Sequence, residues 1–196
     1  MRLVTMFLTL GLAATTALAQ LSVPPPPQPT ADKPAASGPT IEATMNFIEN
    51  KVNAVGTVSF SAYIHDSSNN SDWTQKISST ISSAVANPGA CSIRYHRLVT
   101  NNGKTEHDED VVINMHEVQS ITVMTDAQDW QSFLAHSGDN AKSVKEDPEI
   151  FALVVKLSRG TEPTLRFFDQ EMANRVAKAM IHAVDLCGGG SAPEPF

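Results

Sequence analysis

Long apolar runs, cysteines, aromatics and basic clusters are all scarce in this chain, and each scarcity narrows what it can be. Beyond the first nineteen residues no stretch stays apolar over the roughly 20 positions a helix needs to cross a bilayer, so no span is expected there. Lysine and arginine number 14 against 21 acidic residues, for a formal charge of −7, and no basic run occurs. That balance excludes nucleic acid and anionic lipid surfaces as electrostatic partners. Catalytic signatures are missing too: there is no G-x-S-x-G, H-E-x-x-H, phosphate loop or G-x-G-x-x-G. His116-Glu117 lacks the second histidine of a zinc helix, and no calcium-loop spacing is present. The residues therefore predict no catalytic set, no cofactor and no metal site. Only two cysteines occur, Cys91 and Cys187. In an oxidising compartment an even pair predicts a disulfide. It would close a loop near one hundred residues long, which the chain-entropy model values at up to about 4.7 kcal/mol.

What is present points first to export. Arg2, the apolar run Leu3 to Ala14 and Ala17-Leu18-Ala19 have the three-part form of a secretory signal, so residues 1–19 are expected to be cleaved before Gln20. Loss of Arg2 takes the charge from −7 to −8. No cysteine follows for lipid attachment. The mature protein is expected outside the cytoplasm, periplasmic or secreted, with no membrane span after cleavage. Residues 20–39 form a disordered linker, since Pro24 to Pro27, Pro29, Pro34 and Pro39 among Ala, Ser and Gly cannot build a core. Residues 40–187 are one domain's worth of chain, and 188–196 a flexible tail.

Within the domain the hydrophobic period changes from place to place. Thr40 caps a helix to Val55 with an apolar stripe of Ile41, Met45, Ile48, Val52 and Val55, ended by Gly56. Val58, Phe60, Ala62 and Ile64 alternate as a strand. Trp73, Ile77, Ile81 and Val85 fit either a helix stripe or one strand face; the paired serines favour the strand. Cys91, Ile93, Tyr95, Arg97 and Val99 share the face of a further strand, and Asn101-Asn102-Gly103 is a strong turn. Val111, Ile113 and Met115, then Ile121 and Val123, alternate again. Asp126 to His136 reads as a short helix, and Gly138 to Pro148 as a polar connection. Phe151, Leu153, Val155 and Leu157 lead through Arg159–Pro163 to Leu165 and Phe167, a hairpin. Asp169 then caps a helix whose stripe is Met172, Val176, Ala179, Met180, Ala183 and Cys187, with Gly188 just past its end.

The predicted class is α+β: a bent antiparallel sheet or barrel closed by a C-terminal helix, with an extra N-terminal helix. In the order of its elements from about 55 to 187, the chain resembles the pleckstrin-homology/GRAM-like superfold. The carriers are the strands Val111–Met115 and Ser120–Met124 around His116-Glu117-Val118-Gln119, the Phe151–Phe167 hairpin and the helix from Asp169. The resemblance implies a β-barrel and a binding platform. Family members that take phosphoinositides do so through basic loops. Here Glu106-His107-Asp108-Glu109-Asp110 is acidic, so that ligand is not implied.

Three functions are compatible with these residues. The first is a non-enzymatic exported interaction module, whose unknown partner would be an envelope protein or peptide, added as a strand at a sheet edge. The second is a small-ligand binder or hydrolase with a dispersed site built from His65, His96 and the 106–110 stretch. The third is cation binding by Glu106, His107, Asp108, Glu109 and Asp110, although a solvated hairpin loop is the plainer reading of a charge run. Asn69-Asn70-Ser71 is a formal glycosylation sequon, and Trp73 and Trp130 are expected in the core.

Overall fold

In the computed structural model, residues 38–160 and 162–189 are described; the expected signal, nearly all of the expected linker, and the expected tail from residue 190 lie outside them. The described residues, from Gly38 to Gly189, form one compact unit. It contains α1 (Ile41–Val55), β1 (Thr57–Asp66), β2 (Ser71–Asn87), β3 (Ser92–Asn101), β4 (Lys104–Asn114), β5 (Val118–Thr125), α2 (Asp126–His136), β6 (Lys142–Asp147), β7 (Phe151–Leu157), β8 (Thr164–Phe167) and α3 (Gln170–Leu186). The class is α+β. No helix among the described residues is long and apolar enough to cross a membrane.

Two antiparallel sheets carry the strands. One has the order β4-β3-β2-β1-β6, the other β5-β7-β8. They do not close into the barrel expected from element order. The chain leaves β4 through a 3-10 turn at Met115–Glu117, and β5 then pairs with β7 instead of with β4. The expected polar connection 138–148 contains β6, an edge strand that pairs with β1 from Asp66↔Lys142 to Ser61↔Asp147. The sequence from Trp73 to Val85 lies within β2, paired to β1 and β3. Its odd residues do not share one environment, because Ser83 takes φ +55° in a bulge between Ser82 and Val85. The bulge exchanges the faces, so Ile81 and Ala84 are buried while Val85 is 61% exposed.

Past Thr80, β2 has no β1 partner. Helix α1 takes that place. The side-chain amide of Asn53 donates to the carbonyl of Ala84 and accepts from its N–H, both at 2.8 Å, and Glu49 accepts from the N–H of Ala86 at 2.7 Å. Polar side chains of one helix thus stand in for a missing strand, as buried backbone groups require.

The main core joins Met45, Ile48 and Val52 of α1 to Leu153, Val155, Leu165 and Phe167 of the smaller sheet and to Val176, Met180 and Ala183 of α3. A second cluster, Val58, Phe60, Ala62, Ile64 and Ile150, lies near Trp130. Thr40 and Asp169 cap their helices as the sequence predicts. Cys91 and Cys187 are bonded, which ties the end of α3 to the start of β3 across 96 residues of sequence. A disulfide persists in an oxidising compartment, in keeping with export. Gly188 and Gly189, the first two residues of the expected tail, lie against the fold. Gly188 takes φ +70° behind the helix, and a Cβ at Gly189 would stand 2.2 Å from the Met115 carbonyl oxygen. The linker's end is likewise held, since the Pro39 carbonyl oxygen lies 3.0 Å from His182 Nε2.

Candidate functional site

The period-two rule gives each strand two faces, and in the smaller sheet one face meets the core and the other an open cleft. On the smaller sheet, Leu153, Val155 and Leu165 point to the core. The alternate residues Ser120, Thr122, Met124, Val154, Thr164 and Arg166 line an open cleft of about 990 Å³. The larger sheet supplies the facing wall with Gln75, Ile77, Arg97, Val99 and Asn101, and with Glu106 and His107 at its edge. Helix α2 forms the third wall through Asp129, Trp130, Phe133 and His136.

The start of α2 is set by a capping box. Thr125 Oγ1 accepts from the Gln128 N–H at 3.2 Å, and the Gln128 side chain accepts from the Thr125 N–H at 3.0 Å. This places Asp126 in the first turn, 3% exposed, where its Oδ1 accepts from Arg166 Nε at 2.7 Å. The pair joins α2 to β8. Next to Asp126 stands Glu146 of β6, 9% exposed, whose two buried carboxyl oxygens accept no regular hydrogen bond from any N–H or O–H donor among the described residues and whose side-chain hydrogen-bonding neighbour is the Asp126 carboxyl itself. The N–H groups of Ala127 and Ile150 lie close enough to act on it without closing such a bond. Burial, and then the nearby Asp126 charge, push its pKa up to about 7. Asp129, one turn along the helix from Asp126, is also raised, by burial first and by Asp126 next.

Across the cleft, Arg97 donates from Nη2 to Glu109, and that bond holds the Glu109 carboxyl below its usual range. Arg97 Nε and Asn101 Oδ1 are buried without partners, although the Asn101 amide donates to Glu106 at 2.9 Å. Beside the cleft, the fully buried Tyr95 hydroxyl has no partner, and burial raises its pKa. Phe133 is 68% exposed at the cleft mouth, an unusual place for a large aromatic.

The acidic stretch 106–110 is not a loop. It is part of β4, the edge strand paired to β3, because Asn102 and Gly103 take φ +50° and +79° and form the two-residue turn by themselves. The pleat then parts its side chains. Asp108 and Asp110 face His96, at 3.1 and 3.3 Å, with Arg94 3.0 Å from Asp110. Glu109 turns the other way to Arg97 and His107, and Glu106 and His107 reach the cleft. The five residues therefore present no common ligand set. Among the described residues, no group of three His, Cys, Asp or Glu side chains is placed to hold a metal ion. His65 pairs with Asp72 at 2.8 Å, apart from the partners of His96, so the dispersed site of His65, His96 and 106–110 is not assembled. Charges along an exposed edge also discourage pairing with another strand.

The tryptophans differ from expectation in one case. Trp73 is 37% exposed, since β3 pairs with β2 only from Ile77 onward and leaves that end uncovered. Trp130 packs against the second cluster while lining the cleft. Arg97, Asp126, Asp129, Glu146 and Arg166 carry no sequence motif; the isolated Arg166 between Leu165 and Phe167 is the one local hint. Comparison with protein-family models, curated proteins and solved structures gives no match.

Proposed function

We infer that this protein is a non-enzymatic, exported binding module that takes its ligand in the cleft between the two sheets. The observation that carries this is Phe133, a large aromatic left 68% exposed beside an open cleft of about 990 Å³. Exposed apolar surface next to a concavity marks an interaction site. Arg97 Nε and Asn101 Oδ1, unpartnered on the facing wall, support the same reading. The resemblance of the sequence's element order to pleckstrin-homology-like domains fits a binding platform, here with an open cleft and no closed barrel. The partner is a protein or peptide of the cell envelope or the external medium. Strand addition at β4 is the weaker route, given its charged edge.

Photocrosslinking tests this. A benzophenone amino acid at position 133 in the full chain, irradiated in the native cell, is expected to give a discrete adduct. The same group at Val112, 53% exposed on the opposite face of the larger sheet, is expected to give none. No adduct at 133, or equal adducts at both positions, rejects the cleft as the binding site.

A further inference from the structure

Three carboxyl groups and one guanidinium meet where α2, β6 and β8 converge. Asp126 is 3% and Glu146 9% exposed, and among the described residues the only ion pair made by either carboxylate is that of Asp126 with Arg166. Among the described residues, the elements packed around Glu146 offer it no free second cation. Helix α2 presents Asp126 and Asp129; β1 presents Ala62, directly opposite Glu146; β8 presents Arg166, already bound to Asp126. Glu162 stands near Asp129 and adds a further negative charge. On β6 itself, Lys145 and Asp147 are exposed and lie on the other face of the pleat, and Lys142, four residues before Glu146 on the same face, is engaged by Asp139. With every carboxyl ionised, the buried pair would hold two negative charges against one positive. A buried charge without a partner is costly, so one proton is retained.

We propose that the Glu146–Asp126 pair shares a proton that fastens α2 to β6, and that its loss loosens α2 as a wall of the cleft. This rests on the reading of the cleft as the binding site, and it adds regulation of that site by pH. Asp126 already accepts from Arg166 at 2.7 Å while Glu146 has no cation beside it, so Glu146 is the carboxyl that carries the proton. The direction follows from the raised pKa of Glu146, about 7 against an ordinary 4.5. A carboxyl with a raised folded-state pKa contributes full stability below the unfolded value. That contribution is lost as pH climbs from about 4.5 to about 7, and stability is level above. The wall is therefore tightest in mildly acidic surroundings.

Amide hydrogen exchange of the ligand-free, disulfide-bonded protein reads the latch directly. After correction for intrinsic rates, the α2 and β6 amides are expected to exchange roughly tenfold or more faster at about pH 7 than at about pH 5, while α3 amides change little. Glu146→Gln, which imitates the protonated acid, is expected to remove this pH dependence. Carbon-13 titration of the wild-type carboxyls provides the check that needs no variant: the Glu146 resonance is expected to move near neutral pH. Exchange of α2 that is flat with pH, identical in Glu146→Gln, or matched by α3, overturns the latch, as does Glu146 titrating in the usual carboxylate range. Photocrosslinking at position 133, repeated across the same pH window, separates the two ideas. Adduct formation with flat exchange rejects the latch alone; pH-dependent exchange with no adduct at any pH rejects the cleft as the binding site and leaves the latch standing.

Discussion

Successive residues of β7 meet opposite surroundings. Leu153 and Val155 are fully buried in the core with α3, whereas Val154 and Lys156 line the cleft. The same division runs through β5 and β8, where Leu165 and Phe167 are sealed while Ser120, Thr122, Thr164 and Arg166 are not. One face of a three-stranded sheet thus supplies folding energy and the other supplies a concave, mixed surface. The sealed face is complete: its neighbours fill it and it makes no further demand. The cleft face keeps polar atoms without protein partners on its far wall, and an aromatic ring in solvent at its rim. A small domain that leaves such a surface uncovered forgoes stability, and on the proposed reading a ligand covers it.

The largest effects are expected on the sealed side. Leu153→Ala removes a fully buried side chain from the centre of the core and should cost about 2–5 kcal/mol, read by urea denaturation. Thr164→Ala, on the same sheet but facing the cleft, should stay within about 0.5 kcal/mol. Comparable losses at both positions would mean that the two faces are not distinct. Removing the staple comes next. Cys187→Ser with Cys91→Ser frees the end of α3 from β3 across 96 residues of sequence. It should cost about 2–4 kcal/mol in oxidised protein, and nothing when both proteins are measured reduced.

The sealed side is also what the sequence announces best. Alternation in β1 and β7, the caps Thr40 and Asp169, and the glycine after α3 are local signals, and each element is found where its signal places it. The cleft side is written non-locally. β6 reads Lys-Ser-Val-Lys-Glu-Asp, a charged stretch that becomes a strand only because β1 offers an edge to it. Glu146 is buried against the ordinary preference of its side chain, a departure that no periodicity reports. The 106–110 cluster misleads for the opposite reason. Its density in sequence suggests convergence, but a pleated strand sends alternate side chains to opposite faces. Ser83 likewise reverses the faces of β2 by a bulge with no glycine to mark it.

Smaller effects sharpen the contrast where polar side chains complete the sealed side. Asn53→Ala leaves both the N–H and the carbonyl of Ala84 without their partner. It should cost about 1–3 kcal/mol, and hydrogen exchange at the bulge should quicken before the rest of β2 does. Asn53→Asp keeps the acceptor and loses the donor, so it should recover part of that loss. Equal loss in both variants would show that helix packing, and not the two hydrogen bonds, seats α1 on β2.

The smallest stability effect belongs to Phe133, and its smallness is the point. A ring 68% exposed contributes little to folding, so Phe133→Ser should leave the urea midpoint unchanged within about 0.5 kcal/mol. If the ring had been holding α2 against the second cluster, the midpoint would fall by more, and the exposed aromatic would have a structural explanation. With stability unchanged, the same substitution should still abolish an adduct formed from a crosslinker placed at nearby Ser132, which also lines the cleft. A residue that can be removed without cost to the fold, but not without cost to the complex, belongs to the surface that meets the ligand. Retention of both stability and adduct would assign the ring to neither, and the cleft would lose the observation that singles it out.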